Sequence, residues 1–477
     1  MSNPLQSLQS LSTTQWRDHD EEGLETTFTK EYTRLFPRSA VSSSSSHSGS
    51  EGGREVTIPQ FYFSSSDGRV SAEKSARVGL LKREARLRFL GREIEGLAQG
   101  SVLDAVWGEL MEGAGAVAEG EQEGGGAWIG YDAYAMVASA LEAYGAAVAG
   151  ILVPSGFYSF APREDGKIRV EDVFEYVVGV ASLRKMRIML SAHDQEGSGF
   201  LSETDLERFI VQSVQDLPVL ASLDQTFHVF YVCTAVRKFF FFLDPMRLGR
   251  ISIKSILLSP VLSELFELEE LDENGELDPS NPNGGELEPS GLARNWFTPK
   301  SARRVYADYL ALDVDHNGML SRDELRGYGT GTLTSAFLDR VFEECHTYGG
   351  EMDYKTYLDF VLAMENKSSP EALAFFFRLL DIHECGALTS FTIRYFFKAV
   401  QTEMVASGYY PAGSDVRIED VQSEIFDMVA PSDPYRITLQ DLIRSHRGAT
   451  VVNILTDVSG FWCYDNREML VAADDSE

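Results

Sequence analysis

Apolar residues along most of this chain recur at helical spacing, in stretches of about 10 to 15 residues parted by short polar loops. The stretch from Thr298 to Leu312 is representative. Thr298 is a good N-cap, Pro299 suits the first helical position, and Val305, Tyr309 and Leu312 fall on one face. Similar stripes recur at Leu333, Phe337 and Val341, and at Tyr354, Leu358, Val361 and Leu362. The aromatic runs Phe239–Phe242 and Phe375–Phe377 read as core-facing helix ends. No region alternates as a strand would, so the pattern predicts an all-α protein.

The loops between these helices carry the chemistry. Residues 313–324 place oxygen donors at the spacing a twelve-residue calcium loop requires, with glycine at its sixth position for the sharp turn. Asp313, Asp315 and Asn317 offer side-chain oxygens, Met319 a backbone carbonyl, Ser321 a direct or water-mediated ligand, and Glu324 a closing pair of oxygens. His316 lies between ligands and is expected to be exposed. A weaker copy spans 194–205, with Asp194, Glu196, Ser198, Phe200 and Asp205 as its ligand set. There Glu196 is longer than the usual residue and Asp205 shorter than a closing Glu, so two ligands reach less well. Poorer copies around Ile168, Asp244, Met352, Asp381 and Ile437 keep an aliphatic ladder residue while losing ligands. The fold expected is thus a set of paired EF-hand helix-loop-helix domains in an elongated helical protein, with Ca2+ as the cofactor. Loop pairing suggests the couples Ile168 with Leu201, Leu320 with Met352, and Leu388 with Ile437, leaving Ile251 over.

Low-complexity stretches mark out the organisation. Residues 1–55 are polar and serine-rich and read as a disordered arm. A helical region with degenerate hands is expected over 56–263, interrupted by a Gly/Glu-rich insertion at 112–126. The stretch 264–291 has many acids and no Lys or Arg, and its prolines discourage helix, so it reads as a solvated linker. A C-terminal EF-hand domain follows over 292–468, then an acidic tail over 469–477. Residues 143–162 are uncharged, but their glycines and Pro154 suit a buried helix and turn better than a membrane span.

Charge narrows the function classes. The 477 residues include 73 acidic and 42 basic ones, a formal charge of −31, which repels phosphate backbones and anionic lipid. Nucleic acid and membrane surfaces are therefore not expected partners. The clusters Arg83, Arg86, Arg88 and Arg184, Lys185, Arg187 are the places where a basic patch would lie. Four scattered cysteines with no paired spacing argue against zinc and a disulfide framework, and point to a reducing compartment. No secretion signal is visible at the start. No nucleophile, phosphate-binding or metal-hydrolase signature is present, so the chain is not expected to be an enzyme.

Four segments, Ile58–Phe63, Leu312–Ser321, Met352–Asn366 and Phe461–Glu468, resemble the B-double-prime regulatory subunits of protein phosphatase 2A. The tail Met428–Leu442 with Asp457–Trp462 is most like the branch of the plant FASS/TONNEAU protein and the gamma-type animal subunits. The resemblance runs from about Ile58 to Glu468. It implies a third subunit that docks on the HEAT-repeat scaffold and the catalytic subunit, directs substrate choice or localisation among phosphoproteins, and is tuned by calcium. It also implies a cytoplasmic protein linked to microtubule organisation, with cortical arrays, centrosome-like structures or the nucleus as sites. The loops alone leave open a calcium sensor or adaptor acting on an unrelated target.

Overall fold

A computed structural model of the chain describes residues 68–95, 100–114, 126–141, 150–221, 223–271, 295–406 and 416–469, together with Gly408 and Tyr410. The N-terminal arm, the anchor-like Ile58–Phe63, most of the Gly/Glu insertion and of the acidic stretch, and the tail beyond Met469 lie outside the described residues. Contacts divide the chain into two units, Met1–Leu201 and Ser202–Glu477. The division falls upstream of the acidic stretch in which a domain boundary is expected from composition.

The described part of the first unit contains the helices α1 (Gly68–Glu95), α2 (Gly100–Ala114), α3 (Tyr131–Ala140) and α4 (Val170–His193). A 3-10 turn, Pro154–Ser159, lies within the described part of the uncharged stretch. Val106, Leu110, Tyr134, Phe157, Val173 and Val177 form its core. Two short strands, β1 (Trp128–Ile129) and β2 (Ile168–Arg169), pair antiparallel with Ile129 opposite Ile168. The expected couple of Ile168 with Leu201 is therefore wrong. The apolar step Ala127–Ile129, at the downstream edge of the Gly/Glu insertion, supplies the ladder partner that the low-complexity sequence obscured.

The second unit opens on α5 (Glu203–Asp216), α6 (Gln225–Leu243), α7 (Ile253–Leu257) and α8 (Pro260–Phe266). After the acidic stretch come α9 (Pro299–Leu312), α10 (Arg322–Leu325), α11 (Ser335–Glu344), α12 (Tyr354–Glu365), α13 (Pro370–Leu380) and α14 (Ser390–Ala406). It closes with α15 (Ile418–Val429), α16 (Leu439–Ser445), α17 (Gly448–Thr456) and α18 (Val458–Asp465). One large core runs from the end of α6 to α18 and includes Val305, Tyr309, Phe337, Val341, Leu358 and Val361, the stripe positions named above. Thr298 caps α9, its hydroxyl accepting the Ser301 amide at 3.2 Å. Phe239, Phe240 and Phe241 are buried, as are Phe375 and Phe376, each ring contributing about 1.5–3 kcal/mol of hydrophobic stabilisation.

Helix α6 is long and apolar enough to cross a membrane, yet it serves as a core helix here. Its Arg237 reaches α12, donating to both carboxylate oxygens of Asp359 at 2.6 Å, and its buried Lys238 pairs with Glu264 on α8. Burial pushes the Asp359 pKa up, and the guanidiniums of Arg237, Arg247 and Arg378 pull it back. The start of the acidic stretch is folded, contrary to its reading as solvated linker. Leu265, Leu268 and Leu271 are buried at helical spacing, and that apolar face outweighs the acids between them.

Candidate metal centre

Four loops share one backbone design. Asp194, Asp244, Asp313 and Asp381 each stand at the end of a helix and turn a carboxylate back onto their own loop. In Asp313, Oδ1 accepts the Asn317 amide at 3.1 Å and Oδ2 the Gly318 amide at 3.0 Å. Asp244 does the same with Leu248 and Gly249, and Asp381 with Cys385 and Gly386. The glycines Gly199, Gly249, Gly318 and Gly386 all adopt positive φ, between 71° and 80°, which explains glycine at the sixth position of each loop. His316 is exposed with a φ of 57°, as befits a turn residue.

Only the loop of residues 313–324 adds a converging set of acids among the described residues. Single carboxylate oxygens of Asp313, Asp315 and Glu324 all lie within 4.8 Å of one another. Oxygens on opposite sides of a calcium ion, each about 2.3–2.6 Å from it, stand about that far apart, so the three carboxylates fit such an ion. Glu324 is drawn over the loop by its own contacts. Its Oε1 accepts the Val314 amide at 2.9 Å, while Oε2 accepts the Ser321 amide at 2.8 Å and the Ser321 hydroxyl at 2.7 Å. The Ser321 hydroxyl accepts the Glu324 amide in return, so the clamp at the twelfth position doubles as the capping box of α10. Hydrogen bonds from Ser321, chiefly its backbone amide, hold the Glu324 carboxyl below its usual range. Asn317 Nδ2 donates to Asp315 Oδ2 at 3.0 Å, and its Oδ1 accepts the Met319 amide at 2.7 Å.

The partner loop completes the pair. Leu320 and Met352 exchange two backbone hydrogen bonds of 2.8 Å, the ladder expected from their aliphatic side chains. Leu388 likewise stands opposite Ile437 in an antiparallel pair. The Leu320–Met352 ladder carries Glu351 to within 3.3 Å of Asn317 Nδ2, an acid at the rim of the centre that sequence reasoning missed. Its signal was adjacency to the ladder residue Met352. Tyr309 anchors the loop from α9 by donating to the Gly318 carbonyl at 2.8 Å, and burial, reinforced by Asp313, pushes its phenol pKa up.

The weaker loop is built differently. Asp194, Glu196, Ser198 and Phe200 belong to the first unit and Asp205 to the second. Asp205 Oδ2 accepts the Ser202 amide and hydroxyl at 3.1 and 2.7 Å, and Oδ1 faces Arg208 at 3.2 Å. Asp194 is bound by Arg86, whose guanidinium donates to the Asp194 carbonyl at 3.1 Å and to Oδ2 at 3.2 Å. Arg86 is thus a partly buried partner rather than part of a basic patch, while Arg88 is held by Glu84 on its own helix. The Asp381 loop has His383 and Cys385 where oxygens of a metal shell belong and ends on Thr392 rather than a carboxylate, and its thiol faces Asp381 Oδ1 at 3.5 Å.

Comparison with known proteins decides the family. The chain is 44% identical over 429 residues, 89% of either chain, to the B'' gamma regulatory subunit of serine/threonine-protein phosphatase 2A from Xenopus tropicalis. It is 45% identical over 419 residues to the human gamma subunit, covering 88% of this chain and 86% of that one. The chain belongs to the B'' family of protein phosphatase 2A regulatory subunits. A plant member, the probable B'' subunit TON2 of Arabidopsis thaliana, is 37% identical over 424 residues, 87% of this chain and 83% of that one. A chain of a solved PP2A PR70 holoenzyme is a looser likeness, with a TM-score of 0.49 and 23% identity, covering 58% of this chain and 96% of that one. No family model matches.

Proposed function

We propose that this B'' protein is a calcium-binding regulatory subunit that docks on the scaffold and catalytic subunits of protein phosphatase 2A and directs their activity to particular phosphoproteins. The observation that carries the calcium part is the convergence of Asp313, Asp315 and Glu324 within 4.8 Å. Family membership at 44% identity supports the docking part. In this reading Asp313, Asp315, Asn317, the Met319 carbonyl, Ser321 and Glu324 hold the ion, and Ca2+ ties α9 to α10 without taking part in catalysis. The metals of hydrolysis belong to the catalytic subunit. A charge of −31 suits partners with basic segments, and such steering weakens as salt rises.

We place the protein in the cytoplasm, at microtubule-organising sites, on the strength of its likeness to the plant TON2 branch. A fluorescently tagged chain that stays diffuse while microtubule arrays are intact refutes that placement. Docking is tested by mixing the purified chain with scaffold and catalytic subunits, with calcium or a chelator, and separating the products by size. A ternary complex is expected in calcium. If none forms in either condition while the chain is folded, the phosphatase reading fails and an adaptor on an unrelated target replaces it.

A further inference from the structure

Arg86 sits above the loop that begins at Asp194, held there by neighbours on its own helix face. Phe89 and Leu90, three and four residues further along α1, pack with Ile188 of α4 in a small buried cluster. That contact sets α1 against the end of α4, and α4 leads directly into Asp194. The Asp194 side chain is 1% exposed and that of Arg86 19%. Around the carboxylate, Oδ1 accepts the amides of Gly197 and Ser198 at 2.7 and 3.3 Å, and Oδ2 accepts the Gly199 amide at 2.7 Å and Arg86 Nη2 at 3.2 Å. An ionised carboxylate offers about four lone-pair sites, and here all are used. In Asp313 the corresponding donors are only the Asn317 and Gly318 amides, leaving lone pairs to face an ion.

The fourth loop position is shaped by the same arrangement. All four loops adopt positive φ there, at Gly197, Arg247, His316 and Glu384, so the turn alone does not demand glycine. Glycine occurs only in the loop beneath Arg86. A Cβ added to Gly197 would lie 2.7 Å from Arg86 Nη1, so the guanidinium would have to shift off the loop to admit it. The glycine makes room for the guanidinium.

We propose that Arg86 is the resident cation of this hand: a tethered guanidinium that satisfies Asp194, locks α1 onto the end of α4 and keeps calcium out, so that the Asp313 loop alone takes the ion. The proposal rests on the reading that loops of this design accept calcium, and the experiment separates the two.

Calcium binding to the full chain is counted by equilibrium dialysis with radioactive calcium, for the wild type, Glu324→Gln, Arg86→Gln, Arg86→Lys and the double variant Arg86→Gln/Asp194→Asn. The wild type is expected to bind one ion and Arg86→Gln two, the second more weakly. Arg86→Lys, which keeps a cation, and the double variant each return to one. Hydrogen exchange on the wild type adds a readout that needs no variant. Calcium slows exchange across 313–324 and leaves 194–200 unchanged. A wild type that binds two ions, or in which calcium protects 194–200, overturns the proposal, and so does a folded Arg86→Gln chain that gains none. If the wild type binds none while Arg86→Gln gains one, the calcium reading of the Asp313 loop fails and the role of Arg86 stands. Should Arg86→Gln not fold, the exchange pattern of the wild type decides.

Discussion

Glu324→Gln is the sharpest perturbation of the proposed calcium site, because it removes one charge while keeping the shape of the side chain. With calcium–oxygen distances of about 2.3–2.6 Å, the carboxylate charge lies about 3 Å from a bound ion, and even at the dielectric of bulk water that attraction amounts to about 3 kcal/mol. The exposed rim of this loop justifies the bulk value as a floor. Loss of that attraction weakens binding about a hundredfold, from a sensor-range Kd of about 10⁻⁷–10⁻⁵ M. The ion-free protein is expected to tolerate the change. Gln keeps one acceptor for the Ser321 amide and hydroxyl and loses part of a capping box worth about 1 kcal/mol. Against that loss, repulsion from Asp313 and Asp315, with oxygens within 4.8 Å, is relieved. Calorimetric titration of the full chain reads the affinity, and urea unfolding in chelator reads the stability. A Kd within threefold of the wild type, about 0.7 kcal/mol, in a variant of unchanged ion-free stability would refute the assignment of Glu324 as the closing ligand.

Asp359→Ala leaves the largely buried Arg237 guanidinium with only the longer contact to Glu203 at 3.9 Å and is expected to cost about 3 kcal/mol in chemical unfolding, whereas the paired apolar replacement Arg237→Met/Asp359→Leu costs far less; equal losses would contradict the pairing. Asp441→Asn weakens the capping box with Thr438 by about 1 kcal/mol near neutral pH. Hydrogen bonds from the Thr438 side chain and backbone hold the Asp441 carboxyl below its usual value. A carboxylate depressed by folding stabilises above its unfolded pKa of about 3.9, and that contribution fades as pH falls through the lower folded value, so the gap between wild type and variant should close only in acid. Gly448→Ala would place a Cβ 2.6 Å from Leu373 Cδ2 and 2.7 Å from Cδ1, and is expected to cost about 1–3 kcal/mol, partly recovered by Leu373→Val in thermal unfolding.

The division between what was legible and what was not follows sequence distance. Helix stripes, the Thr298 cap, the Phe239–Phe241 core and the ligand pattern of residues 313–324 are all local. Each depends on residues within a few turns of one another, where periodicity and loop geometry act directly. The Leu320–Met352 and Leu388–Ile437 ladders were also legible, because aliphatic residues recur at one fixed position of each hand. The Ile168 couple was misread because its partner Ile129 follows a low-complexity stretch with no loop pattern to flag it. The folded state of residues 264–271 was missed for a related reason, since counting acids hid the leucine spacing between them.

What the sequence by itself determined is therefore an all-α chain of paired helix-loop-helix units, one of whose loops carries a converging set of acids. Only the tertiary structure decided the charge partners. Arg86 meets Asp194 across 108 positions and Arg237 meets Asp359 across 122, and no local pattern announces either pair. A guanidinium's destination depends on how helices pack, because a buried carboxylate must be paired wherever the fold places it. Asp194 and Asp313 look alike in sequence as first residues of their loops, but packing assigns one to an arginine and leaves the other open.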